Sequence, residues 1–155
     1  MKIITFAIPC YNSQDYMEKC INSLLPGGDD VEIIIVDDGS TDRTSEIANK
    51  YAEQYPGIIR VIHQENGGHG EAVNTGLRNA TGLYYKVVDS DDWVDGEAYA
   101  RVIFTLKELV KENHLIDMLL TNYVYEKVSE NHQRRMIYSP LFPENQIIGW
   151  GDMKR

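Results

Sequence analysis

Cysteine is scarce: Cys10 and Cys20 are the only two among 155 residues, and they form no CxxC pair. Neither a disulfide scaffold nor a thiolate zinc site is suggested, and a reducing, cytoplasmic setting is expected. Long apolar runs are also missing. The apolar start over residues 3–8 falls far short of the ~18 residues of a membrane span and is too short for a signal peptide. The chain is therefore expected to be soluble, with membrane contact at most peripheral. Basic residues are few, 15 Lys plus Arg against 24 Asp plus Glu, for a formal charge of −9. Such a surface does not attract a phosphate backbone, so no nucleic-acid partner is expected. With 43% hydrophobic and 25% charged residues the composition is ordinary globular and excludes disorder. No internal repeat or low-complexity stretch is visible.

The first 125 residues alternate short apolar runs with helical patterns, predicting βα units around a largely parallel sheet. Residues 3–8 read as a buried strand ending at Pro9. Tyr16, Met17, Cys20, Ile21, Leu24 and Leu25 form a helical stripe that Asn12 or Ser13 can cap and Pro26-Gly27-Gly28 ends. Residues 31–36 are a second strand, and Ser40 or Thr41 can cap the next helix, with Ile47, Ala48, Tyr51, Ala52 and Tyr55 on its stripe. Residues 58–62 form a third strand. A short helix opening at Gly67-Gly68-His69-Gly70 then carries Val73, Leu77 and Ala80 on one face. Residues 83–88 make a fourth strand, and 97–113 a longer helix facing inward through Tyr99, Val102, Ile103, Leu106 and Val110. Residues 117–127 and 134–138 read as two further strands, a hairpin turning around Ser129-Glu130-Asn131. The expected organisation is an α/β domain over 1–127, followed over 128–155 by a short hairpin strand and an irregular tail, the start of a further half.

Three polar clusters each follow a predicted strand: Pro9-Cys10-Tyr11-Asn12, Asp37-Asp38-Gly39-Ser40 and Asp89-Ser90-Asp91-Asp92. Ligands of open α/β sheets bind at the C-terminal strand ends, so these placements reinforce one another. Five acids converge there, and uncompensated they would raise one another's pKa values. A divalent cation bound to an anionic ligand resolves the conflict. The Asp89-x-Asp91 pair suits Mg²⁺ or Mn²⁺, which prefer carboxylate oxygens and complete their shells with water and substrate phosphates; the same acids also read as solvated turn residues or helix caps. Asp38, with Asp37 beside it, can accept hydrogen bonds from a base or ribose, or be turn chemistry. Tyr11 can stack on a base or belong to the core.

Asn66-Gly67-Gly68-His69-Gly70 resembles a phosphate cradle at a helix start. It is not the dinucleotide fingerprint, which belongs after the first strand, and no Gly-Lys-Ser/Thr follows it as in a Walker loop. His69 reads as a polar loop residue, and His63, His114 and His132 share no metal-ligand spacing. A phosphorelay receiver domain is excluded, because the acids follow strands two and four rather than one and three.

Taken in order, Ile8-Pro9-Cys10-Tyr11-Asn12, Val36-Asp37-Asp38-Gly39-Ser40-Thr41-Asp42, Asn66-Gly67-Gly68, Ala72-x-Asn74-x-Gly76-Leu77 and Val88-Asp89-Ser90-Asp91-Asp92-Trp93 closely resemble the family 2 glycosyltransferases. These are inverting enzymes of the GT-A fold that use nucleotide-diphosphate sugars, and the resemblance spans residues 3 to about 125. It implies an open, mostly parallel sheet flanked by helices. It implies that Pro9, Tyr11 and Asn12 line the nucleotide pocket, Tyr11 against the base, and that Asp38, near Asp37, binds the base, expected to be uracil. By the same resemblance Gly67, Gly68 and Asn74 lie along the donor, Asp89 and Ser90 contact it, and Asp89 and Asp91 hold Mg²⁺ or Mn²⁺. The implied reaction is sugar transfer with inversion to a glycan or lipid-linked acceptor, in cell-surface polysaccharide synthesis. The general base is expected outside this chain: Glu130, Glu144 and Asp152, the acids after Val128, sit in no recognisable base motif. A binding module without catalysis stands as the alternative. A sugar nucleotidyltransferase is disfavoured, because a glycine-rich loop with a basic residue is missing after strand one.

Overall fold

In the computed structural model, residues 1–127, 132–138, 146–149 and 151 are described. The chain divides into two compact units, Met1–Glu108 and Leu109–Arg155. In the first unit four parallel strands form a sheet: β1 (Ile4–Cys10), β2 (Val31–Asp38), β3 (Ile59–Gln64) and β4 (Tyr84–Val87), in the order β3-β2-β1-β4. Every residue of β1 and β2 is buried. That is why both read as continuous apolar runs rather than alternating ones. The helices are α1 (Met17–Leu24), α2 (Thr44–Gln54), α3 (His69–Asn79) and α4 (Gly96–Lys111).

Right-handed crossovers from β1 to β2 to β3 place α1 and α2 on one face, and the return from β3 across to β4 places α3 on the other. Side chains agree with this. Ile34 and Val36 of β2 pack with Ala72 of α3. On the opposite face Phe6 meets Tyr99 of α4 edge-on, ring centroids 5.7 Å apart, and the Tyr99 hydroxyl donates to Leu24 O at 2.8 Å. Strand order reverses between β1 and β4, and the crevice at a sheet's reversal point is where ligands bind in such folds.

β1 runs through Pro9 to Cys10, two residues beyond the predicted strand. Ala7 O accepts from Val88 N, so Ala7 and, two residues on, Pro9 turn their backbone groups toward β4. The β1–β4 pairing ends at Ala7 and Val87, so Pro9 lies past it and its missing N–H removes no ladder bond. Lys86 is exposed on β4, an edge strand where a charged side chain reaches water.

At the N-terminal end of the sheet the buried Glu32 carboxylate accepts from Thr5 Oγ1 at 2.6 Å, Thr81 N at 2.8 Å and Arg60 Nε at 3.1 Å. Gly82 N in turn donates to Thr5 Oγ1 at 2.9 Å. One carboxylate thus ties β1, β2, β3 and the turn into β4 together.

Helix starts differ from expectation. α1 begins at Met17, after a turn in which Met17 N donates to Ser13 O; α2 begins at Thr44, whose N–H donates to Asp42 Oδ1 at 2.9 Å. The capping oxygen comes from Asp42, while Ser40 and Thr41 bind Asn12 instead. In α3 the apolar face of Val73, Leu77 and Ala80 is not the buried one: Ala72, Thr75 and Gly76 are buried, whereas Leu77 is 55% exposed.

In the second unit β5 (Tyr123–Lys127) pairs antiparallel with β6 (His132–Met136), with Tyr123 and Tyr125 in edge contact at 5.2 Å. The turn expected at 129–131 lies outside the described residues. No helix among the described residues is long and apolar enough to cross a membrane.

Candidate functional site

β1 delivers Tyr11 and Asn12 to the rim. Tyr11 is 52% exposed, placing an aromatic face in solvent beside the sheet's reversal point. Asn12 adopts φ +51°, a left-handed conformation that asparagine tolerates better than most side chains. Its N–H donates to Ser40 Oγ at 3.0 Å and its Oδ1 accepts from Thr41 N at 2.9 Å. Asn12 therefore laces the loop after β1 to the loop after β2. Pro9, by contrast, is buried within the strand opposite Val36.

Asp37 and Asp38 leave β2 on opposite faces, as successive strand residues must. Both are buried and fully engaged. Asp37 Oδ1 accepts from Ser40 N at 3.1 Å; Oδ2 accepts from Ser45 Oγ and lies 2.9 Å from His63 Nδ1. Burial pushes the Asp37 carboxyl upward, but the hydrogen bonds from Ser40, Ser45 and His63 outweigh it and hold the group below its ordinary range. Asp38 Oδ1 accepts from Gln64 Nε2 at 2.7 Å and Gly67 N at 2.8 Å, and Oδ2 from Gly68 N at 2.8 Å. The five acids thus divide: two organise loops from inside, and three line the rim.

The glycine loop is held by Asp38 from below. Gly68 sits at φ +86°, a conformation glycine adopts without steric cost, and α3 begins directly after it. Gly39, at φ +73°, leaves room only for a hydrogen, since a Cβ there would stand 2.9 Å from Asn66 N. Asn74 is exposed on α3.

β4 ends in a turn closed by Asp92 N donating to Asp89 O at 2.9 Å. Asp89 and Asp91 are exposed there. Ser90 is buried, its hydroxyl 2.9 Å from that of Ser13, which locks the acidic turn to the loop after β1. Burial and the neighbouring charges of Asp91 and Asp89 push the Asp92 carboxyl upward. A cation would relieve that like-charge strain. Among the described residues no three His, Cys, Asp or Glu side chains converge to hold a metal unaided. Two exposed carboxylates across one residue still fit a hard divalent cation that completes its shell from water and phosphate oxygens.

Gln64 is not marked by any sequence motif, and Ser13 and His69, expected only as a helix cap and a polar loop residue, also contribute. His69 Nε2 lies 2.8 Å from Asp89 Oδ1. Beside Asp91 a cavity of about 360 Å³ opens, lined by Gln14, Asp15, Tyr16, Glu18, Lys19, Asp91 and Trp93, with the Lys19 ammonium over the Trp93 ring. No spacing rule joins these residues; the β1–β4 neighbour relation does. Cys10, just below the rim, is buried, and that burial pushes its thiol up to about 12, which leaves it inert as a nucleophile.

The sheet and its flanking helices, and the sequence that builds them, match those of known glycosyltransferases. The family model described as Glycosyl transferase family 2 matches residues 5–150. The chain belongs to that family. It is 38% identical over 147 residues to the uncharacterized glycosyltransferase EpsJ of Bacillus subtilis, covering 94% of this chain and 40% of that protein. Among solved structures, S. aureus TarS 1–349 in complex with UDP-GlcNAc superposes with TM-score 0.60 at 33% identity, over 70% of this chain and 32% of that one. The mannosyltransferase PcManGT from Pyrobaculum calidifontis, in complex with GDP-Man and Mn²⁺, gives TM-score 0.59 at 28% identity over 68% of this chain and 32% of that one. These neighbours are GT-A glycosyltransferases, and the present sheet is of that class. The chain spans about two-fifths of the relative and a third of the structures it matches.

Proposed function

We propose that the rim at the ends of β1, β2 and β4 binds a nucleoside-diphosphate sugar and that the protein transfers the sugar to a glycan or lipid-linked acceptor in cell-surface polysaccharide synthesis. One observation carries this: exposed Asp89 and Asp91 share a closed turn that is locked by Ser90 and Ser13 to the loop presenting Tyr11. Tyr11 stacks on the base, expected to be uracil, a contact worth about 1–3 kcal/mol by analogy with base–aromatic stacking. Asp38 acts on the donor through the Gly67-Gly68 backbone it holds, and Asn12 and Asp37 fix the neighbouring loop. Asn74, from α3, faces the sugar side.

Asp89 and Asp91 would hold Mg²⁺ or Mn²⁺, which when bound would supply charge neutralisation for the departing nucleoside diphosphate. The acceptor hydroxyl attacks the anomeric carbon opposite the diphosphate, so the configuration inverts. The base that removes its proton belongs to the remainder of the whole protein in this reading. UDP-GlcNAc in the TarS complex and GDP-Man with Mn²⁺ in PcManGT support a donor of this chemical class.

Calorimetric titration of the chain with UDP, with and without Mn²⁺, tests the reading. Binding that requires Mn²⁺ and is lost in Asp91→Ala is the expected result. Equal binding without the metal, or an unaffected Asp91→Ala variant, would overturn the site. UDP-GlcNAc and GDP-Man titrated alongside identify the base.

A further inference from the structure

We infer that His69 is a positioning residue for the acidic turn, holding one oxygen of Asp89 so that the other is presented to the divalent cation. The inference rests on the donor-site reading above and adds to it a side chain from outside the turn. A carboxylate oxygen can only accept a hydrogen bond, so at 2.8 Å from Asp89 Oδ1 the His69 Nε2 carries the hydrogen. Nε2 is therefore not available to a metal in this arrangement, and through it the imidazole acts on Asp89.

The backbone makes this contact repeatable. Asp38 fixes Gly67 and Gly68 through their N–H groups, Glu71 N and Ala72 N bond back to Gly68 O, and His69 is the first residue of α3. The imidazole is thus launched from a pinned loop, whereas Asp89 stands on an exposed turn. A free carboxylate there rotates broadly about its terminal torsion. Hydrogen-bonding partners of metal-ligating side chains remove that freedom and typically alter metal affinity about 10–100-fold when mutated.

Folding does not explain the pair. The side chains are 65% and 50% exposed, and exposed ion pairs contribute little to stability.

The test is Mn²⁺ titration in the presence of UDP, followed by the electron paramagnetic resonance of free Mn²⁺, on the full chain and on His69→Ala, His69→Gln and Asp91→Ala. His69→Ala is expected to weaken Mn²⁺ binding by about 10–100-fold with an unchanged melting temperature. His69→Gln, whose amide can donate from a similar position, is expected to return toward the wild-type value. If His69→Ala binds as the wild type while Asp91→Ala does not, the positioning role is wrong and the donor site stands. An equal loss in His69→Gln and His69→Ala would also overturn it. If the wild type binds no Mn²⁺ with UDP, the donor site and the role of His69 fall together.

Discussion

Asp37 and Asp38 are adjacent in sequence and face different elements: Asp37 meets Ser45 and His63, and Asp38 meets Gln64 and the Gly67-Gly68 backbone. Period-two alternation along β2 accounts for the split. The acids, Tyr11 and Asn12 were legible in the sequence because strand ends announce themselves by a switch from apolar to polar residues. Their partners were not, since nothing in local pattern says that Gln64 and His69 arrive at the same rim. Glu32 is a similar case, an acid inside an otherwise apolar strand whose reason is Thr5, Arg60 and Thr81. Burial pushes its carboxyl upward, but hydrogen bonds from Thr5 and Thr81 and the Arg60 charge outweigh this and keep it below its ordinary range. Its contribution is therefore present in full above the unfolded-state pKa of about 4.3 and is lost as pH falls through the lower folded-state value. Glu32→Gln is expected to cost about 2 kcal/mol at pH 7, the scale of a charged hydrogen bond. The gap from wild type should narrow in the acid range below pH ~4. Denaturant unfolding at both pH values measures it, and a gap independent of pH would contradict the role given to the charge.

At the scale of elements, α3 shows why a hydrophobic stripe can mislead. Its buried face is Ala72, Thr75 and Gly76, residues that register weakly on any hydropathy pattern, while Leu77 points to water. The helix lies close to the sheet because Gly76 lacks a side chain: a Cβ there would stand 2.6 Å from Ala7 Cβ and 3.0 Å from the Tyr85 hydroxyl. Ala7 belongs to a fully buried central strand and cannot retreat. Gly76→Ala gains helix propensity of about 1 kcal/mol but meets overpacking of about 1–3 kcal/mol. A net loss of about 1 kcal/mol is expected, read as a lower thermal midpoint; an increase would mean that α3 shifts freely over β1. The strands of the first unit were legible to within a few residues because their runs are rich in Ile and Val and are punctuated by Pro and Gly. The helix starts were not, because the capping oxygen of α2 comes from Asp42, while Ser40 and Thr41, the capping residues expected from the sequence, serve Asn12.

For the whole molecule, the βα alternation predicted the parallel sheet, and the reversal of strand order between β1 and β4 brings the acidic turn beside Tyr11. The N-terminal end of the same sheet, closed by Glu32 and Thr81, lies at the opposite pole. The net charge of −9 makes an anionic donor an unfavourable guest unless a cation accompanies it, so under the proposed function the cation's position would locate the site. The most direct measurement is paramagnetic broadening of backbone amide resonances on adding Mn²⁺ together with UDP. Broadening confined to amides around Gly68, His69, Asp89, Ser90 and Asp91, with those of Glu32 and Thr81 untouched, is the expected result. Broadening centred on any other part of the chain, or none at saturating UDP and Mn²⁺, would contradict the assignment of this rim as the donor site.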